Sequence, residues 1–295
     1  MRQINRDLLD DLAKRKVVLF LGAGVTSSAV ARSGTRVKDW PSFLKHAATF
    51  VENKELEKHI NLRIDKDDFL LACEIIKSNI DTDKWKNLLY EEFAQIAEPS
   101  ELHKSIVKLD QRVILTTNFD KLIENTFSIV NPTATRYPVT INKLDASVFQ
   151  MMRDDRQYIV KIHGSIDDPG NIIFSKAEYI TNAFGNWVYS DFLESLFVFY
   201  TVVFIGFSMS DPAVNFIIER YAQKHPTLRP HYIFQQSPIE SASEEISRRL
   251  KKLYPIPYKE GDDHADLPIL LGEIHEQAIN RRREIIAEGR STLMS

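Results

Sequence analysis

The run Lys16-Val17-Val18-Leu19-Phe20-Leu21, continuing directly into Gly22-Ala23-Gly24-Val25-Thr26-Ser27-Ser28, decides the class of fold. A short apolar run of this kind, rich in β-branched residues, suits a strand buried on both faces, as in a parallel sheet. The two glycines let the backbone turn sharply and approach a ligand closely, where a Cβ would collide with it. A helix starting at this point presents free N–H groups and a positive dipole end, which suits a phosphate. Thr26, Ser27 and Ser28 add hydroxyl donors. The run lacks the third glycine of the full dinucleotide fingerprint and the Gly-Lys-Thr of a P-loop. A tight strand–helix turn with no ligand is therefore the competing reading.

Working outward, similar apolar runs occur at residues 112–116, 158–162, 201–205 and 231–234. Helical patterns lie between them, and that alternation predicts an open α/β sheet. Ligands of such sheets sit outside the carboxyl ends of the strands. Residues 22 to 111 are too long for a single crossover helix. Helices are predicted at 41–53, 67–79 and 83–97, with Asp39 capping the first and Pro41 in its first turn. A helical insertion over about 36–105 follows. Beyond His264, Leu270, Ile274, Ala278 and Ile285 recur at near-helical spacing, so 265–295 is read as a C-terminal helix with a frayed tail from 291.

Three further strand ends carry polar clusters. Thr116-Thr117-Asn118-Phe119-Asp120 ends the second run. Asn118 or Asp120 suits a helix cap, but one cap does not account for the whole group, and unpaired polar side chains at a buried strand end are costly. Lys161-Ile162-His163-Gly164-Ser165 ends the third. A lone histidine is often structural; here Gly164 leaves room beside the imidazole, whose ordinary pKa near 6.5 allows proton transfer at neutral pH. Gly206-Phe207-Ser208-Met209-Ser210-Asp211-Pro212 ends the fourth. Gly206 permits close approach, Ser208 can donate to a phosphate or ribose oxygen, and Asp211 with Pro212 reads as a helix cap.

Composition narrows the setting. Hydrophobic residues make up 43% and charged residues 27%, ordinary for a globular protein. A net charge of −3 argues against broad attraction to nucleic acid or an anionic membrane, so direct nucleic-acid binding is not expected. The longest apolar run, 196–207, is far shorter than the roughly 20 residues of a membrane span. The N-terminus has no signal-peptide apolar region, and the single cysteine, Cys73, fits a reducing, cytoplasmic setting.

Taken in order, Gly22-Ala23-Gly24, Thr117-Asn118-Phe119-Asp120, His163-Gly164 and Gly206-Phe207-Ser208 resemble the sirtuin-like family of NAD-consuming proteins over about residues 16 to 264. The resemblance implies a Rossmann-like open parallel sheet, with a helical insertion between the first and second strands and a helical C-terminus. Residues 1–264 would form the NAD-binding catalytic domain. It implies NAD as substrate, with Asn118 and His163 catalytic. Gly22, Ala23, Gly24, Thr26, Thr117, Asp120, Gly206 and Ser208 would bind the cofactor, Asp120 at the nicotinamide carboxamide. Protein deacylases of this family hold a structural zinc on four cysteines; Cys73 stands alone here, so no zinc is expected.

The pattern looks more like the bacterial branch that hydrolyses NAD in antiphage defence. Such proteins are commonly homo-oligomers and are often controlled by a partner, sometimes a hexameric DNA-translocating ATPase. A chain of this size leaves little room for its own sensor, so the trigger is expected on another polypeptide. Arg281-Arg282-Arg283 is read as a solvated helical face, with a partner contact as the alternative. Two other readings stay open: a deacylase or ADP-ribosyltransferase, and a non-catalytic subunit that senses NAD or ADP-ribose.

Overall fold

A computed structural model describes residues 2–31, 37–94, 97–261 and 264–293 of the chain. Strands β1 (Val17–Leu21), β4 (Val113–Thr116), β5 (Val139–Ile141), β6 (Tyr158–Lys161), β7 (Thr201–Ile205), β8 (His231–Gln236) and β9 (Leu253–Tyr258) form one sheet. Its order is β5-β6-β4-β1-β7-β8-β9, and every pairing in it is parallel. A separate antiparallel pair joins β2 (Val30–Ala31) to β3 (Ala97–Glu98). The fold is thus the Rossmann-like α/β sheet expected. After β1 the chain crosses to β4 on one side, and after β7 it crosses to β8 on the other. The topological switch point therefore falls between β1 and β7, where the ligand crevice of such a sheet lies.

Register explains why the polar motifs converge. Leu21 pairs with Thr116 on one side and Ile205 on the other, and Thr116 pairs with Lys161. Four strands end at one level, so the residues that follow them share one edge. Alternation divides the strands between two cores. Val18, Phe20, Val113, Leu115 and Val160 pack under α10 (Trp187–Phe199) and α11 (Pro212–Lys224). Val17, Leu19, Leu21, Ile114 and Ile159 face α1 (Arg6–Ala13), α7 (Glu101–Lys108), α8 (Leu122–Val130) and α13 (Asp266–Leu293). Both faces are covered, which is why these strands read as unbroken apolar runs.

Between β1 and β4 run α2 (Ala23–Thr26), α3 (Trp40–Ala48), α4 (Lys54–Ile64), α5 (Phe69–Asn79) and α6 (Thr82–Phe93), then α7. Asp39 caps α3 as expected, accepting the Ser42 N–H at 2.9 Å. Three local readings change. The first helix stops at Ala48, and α4 follows where no element was predicted; only Ile60 and Ile64 of α4 are buried, too few to show an apolar stripe. The third helix ends at Phe93; residues 95–96 lie outside the described part and Ala97 is in a strand. Helix α7 packs with α8 and α13 against the sheet, while α3 to α6 gather around a third core containing Phe43, Trp85, Phe119, Phe174 and Ile166. Position 36, the expected start of the insertion, lies outside the described residues.

The chain closes with α9 (Lys176–Glu178), a π-helical turn (Tyr179–Phe184) before α10, and α12 (Ser241–Lys251) before β9. Helix α13 continues through Leu293, so residues 291–293 are helical and not a frayed tail; 294–295 lie outside the described residues. Its arginine triplet is not simply solvated. Arg281 pairs with Asp10 of α1 at 2.6 Å, and Arg282 donates to the Ala13 carbonyl at 2.9 Å and pairs with Asp110 at 3.2 Å. Two of the three side chains thus fasten the helix to its own fold. No helix among the described residues is long and apolar enough to cross a membrane.

Candidate active site

The switch point is built from two loops in contact. Gly22 N–H donates to the Ile205 carbonyl at 3.0 Å, and Gly24 N–H to that of Gly206 at 2.9 Å. A Cβ on Gly22 would lie 2.5 Å from the Gly206 oxygen, and one on Gly24 2.9 Å from the same atom. Gly206 has φ +59°, and a Cβ there would meet the Val25 nitrogen at 2.7 Å. What a side chain would strike at these glycines is the neighbouring loop. The helix after the turn, α2, is a single turn, so the extended dipole expected behind the glycines is not there. The serines that follow it bond to the turn's own backbone: Ser27 and Ser28 donate to the carbonyls of Gly24 (3.2 Å) and Val25 (2.7 Å). Thr26 Oγ1 donates to Asp120 Oδ2 at 2.5 Å.

Past β4, Thr116 Oγ1 accepts the N–H of Asn118 at 3.0 Å, and Asn118 Nδ2 donates to the Gly22 carbonyl at 2.9 Å. The carboxamide thereby ties the β4 loop to the glycine loop. Asp120, buried, receives Thr26 on one oxygen and the Leu122 N–H, at the start of α8, on the other at 2.9 Å. Beneath this loop lies Lys161, only 1% exposed. Its ammonium donates to the carbonyls of Phe119 and Asp120 and pairs with Glu124 of α8 at 3.1 Å. Burial pushes the Glu124 carboxyl up, with Lys161 opposing.

Past β6, His163 is buried in a polar ring. Its Nε2 lies 3.0 Å from the Tyr189 hydroxyl and 3.4 Å from Asp211 Oδ2, and its Nδ1 lies 3.5 Å from the Tyr179 hydroxyl. Tyr179 donates to Asp211 Oδ2 at 2.7 Å, and Asp211 Oδ1 accepts the Val214 N–H at 2.8 Å. Burial pushes the imidazole below its ordinary value, Asp211 opposing, so the neutral form prevails. Gly164 (φ +89°) does not make room at the ring: a Cβ there would meet the Asn171 carbonyl at 2.7 Å.

These groups surround one cavity of about 120 Å³. Gly22, Ala23, Thr26, Thr117, Asn118, Asp120, His163 and Ser208 all line it. Gly24 and Gly206 do not; they lie against each other at the loop contact. Ser208 is at the exposed rim, 2.7 Å from the hydroxyl of Ser210. The sequence reading missed the opposite wall, formed by Trp40, Phe93, Phe119 and Phe174 from the helical segment and its neighbours. Trp40 stacks on Phe174 at 5.2 Å, and Phe174 meets Phe119 edge-on at 5.3 Å. It also missed Tyr179, which opens the π-helical turn, a feature frequent at functional sites. Asp211 was visible but fully accounted for as a cap; it caps α11 and faces His163 at once.

An open parallel sheet whose switch-point crevice is lined by an asparagine and a histidine from neighbouring strand ends has the Rossmann-like architecture of a nucleotide-binding protein. Comparison with known proteins agrees. The SIR2-like domain model matches residues 112–256. Relatives include the NAD(+) hydrolase ThsA of Cytobacillus dafuensis, 28% identical over 73% of this chain and 40% of its own length. The NAD(+) hydrolase ThsA of Enterococcus faecium is 24% identical over 92% of this chain and 57% of its own length. Defense-associated sirtuin 2 of Bacillus subtilis is 21% identical over 80% of this chain and 22% of its own length. The chain thus spans about two fifths of the first of these relatives.

Proposed function

We propose that this protein binds NAD and hydrolyses its nicotinamide–ribose bond, giving nicotinamide, ADP-ribose and a proton from NAD and water. The observation that carries the reading is the meeting of Asn118 and a buried His163 in one cavity at the switch point. The names of the relatives support it. Nicotinamide leaves as a neutral molecule from a sugar developing oxocarbenium character, so the site must hold the sugar and admit water. His163 takes a proton from a ribose hydroxyl as that charge builds, and Asn118 orients the water. Asp120 and Thr26 form the wall nearest the glycine loop, where the carboxamide would rest.

A cavity of about 120 Å³ is small beside the roughly 300–1,000 Å³ of sites for drug-sized ligands. The enclosed part suits the nicotinamide riboside end, with the pyrophosphate and adenosine along the Ser208 rim. The reading makes the protein an effector of antiphage defence that depletes NAD when a partner activates it. Assembly into a homo-oligomer and control by a partner such as a DNA-translocating ATPase belong to this proposal. Chromatographic assay of NAD with the wild type and His163→Ala, each alone and with the candidate partner added, tests it. Wild type is expected to release nicotinamide and ADP-ribose, with the variant slower by about 10²–10⁴-fold. Equal rates in both sink the site, and NAD binding without any turnover favours the sensing subunit.

A further inference from the structure

We propose that Asp211 is a positioning residue for His163, orienting the imidazole and providing the counter-charge when the ring takes a proton. The inference rests on the hydrolase reading above for its catalytic meaning, but its geometry stands apart from it. The Asp211 carboxylate is buried, and its two oxygens have different duties. Oδ1 accepts the Val214 N–H at 2.8 Å and starts α11. Oδ2 is turned to the cavity wall, where it accepts from Tyr179 at 2.7 Å and lies 3.4 Å from His163 Nε2.

A helix cap needs only the first of these oxygens. The second meets the one histidine of the cavity, in surroundings from which water is largely excluded. A proton taken up by His163 would place a cation there, and a buried charge without a partner is costly. Asp211 is the only carboxylate within ion-pair distance of the ring among the described residues. The other ionisable groups around it are the hydroxyls of Tyr179 and Tyr189, both pushed well up by burial, with Cys73 close to Tyr179. Asp120 and Lys38 line the same cavity. Tyr179 bonds to Asp211 and also reaches His163 Nδ1 at 3.5 Å, so it competes with the ring for the carboxylate. The proton stays on the imidazole; Asp211 holds it there by charge, as an acidic group orients the histidine of a hydrolytic triad.

Two variants give opposite signs. Asp211→Asn keeps the volume and, since asparagine caps as well as aspartate, the start of α11. Tyr179→Phe removes the competing donor and leaves the carboxylate. In the full chain labelled with ¹³C,¹⁵N-histidine, NMR titration is expected to place His163 lower in Asp211→Asn by about one pH unit and higher in Tyr179→Phe. In the NAD assay, the acid limb of kcat/KM moves to lower pH in Asp211→Asn and the plateau falls about tenfold or more, with NAD affinity kept. An unchanged His163 titration in Asp211→Asn, or shifts of the same sign in both variants, overturns the proposal. Should the wild type consume no NAD either alone or with the partner added, the hydrolase reading fails on its own, while the NMR titration still decides whether Asp211 governs His163.

Discussion

Asn118, Asp120 and Asp211 each carry a structural bond as well as facing the cavity. Asn118 holds the glycine loop through Nδ2, Asp120 accepts the first N–H of α8, and Asp211 caps α11. This doubling follows from the place of the site. At the carboxyl ends of parallel strands the backbone has just left the ladder, so side chains must satisfy the freed N–H and C=O groups. The same groups then point at whatever enters the crevice. Glycine has an equally local reason at 206, where φ is +59° and the β1 loop presses against Cα. Gly206→Ala is expected to destabilise the protein by about 1–3 kcal/mol from backbone strain alone, with the loop contact adding to it. Urea unfolding against the wild type measures this. A variant as stable as wild type would mean that the β1 and β7 loops are free to separate.

Between elements, the strongest tie in the site is the Lys161 ammonium. It joins the end of β6 to the loop carrying Asn118 and Asp120, and through Glu124 to α8. Removing one partner of a buried pair leaves the other charge uncompensated, so Lys161→Met is expected to cost about 3–5 kcal/mol. The double variant Lys161→Met/Glu124→Leu should recover the part due to the unpaired Glu124 but not the lost bonds to the loop carbonyls, as denaturant midpoints would reveal; equal losses in both would show that the pair is not the cause. The sequence displayed this lysine beside His163 but gave no sign of its duty, because nothing local says that a strand-end lysine is covered by a loop from another strand. The central strands were legible for the opposite reason: two covered faces leave an unbroken apolar run at 17–21 or 201–205. At the edges the signal failed. β5 has three residues, and β9 carries Pro255 and Pro257, tolerated only because it pairs on one side with β8. The aromatic wall was illegible since Trp40 and Phe174 lie far apart in the chain and meet only through the third core.

Across the whole molecule, three buried histidines make stability depend on pH. His231 Nδ1 accepts the Val202 N–H at 3.1 Å, its Nε2 has no partner, and burial pushes it down to about 3. His103 Nδ1 accepts the Ser100 N–H at 3.3 Å in the box that caps α7, and burial pushes it down to about 4, with Asp120 opposing. His163 is pushed down as well. An accepting nitrogen cannot take a proton without losing its bond, so the fold requires the neutral rings. In the unfolded chain each protonates near pH 6.5. The contribution is therefore complete above about pH 6.5 and shrinks as pH falls towards the lower folded values, each ring adding a slope of up to about 1.4 kcal/mol per pH unit. Glu124, pushed up by burial, works the other way and softens the loss in the more acid part of the range. Urea unfolding between pH 7.5 and 5 is expected to show stability falling with acid. His103→Gln separates the contributions, because glutamine at the same position of a capping box still accepts the Ser100 N–H. That variant should lose close to one histidine's share of the slope while matching wild type at pH 7.5. A slope equal to wild type would mean that His103 takes its proton inside the fold, and that the capping bond at α7 gives way well before the sheet does.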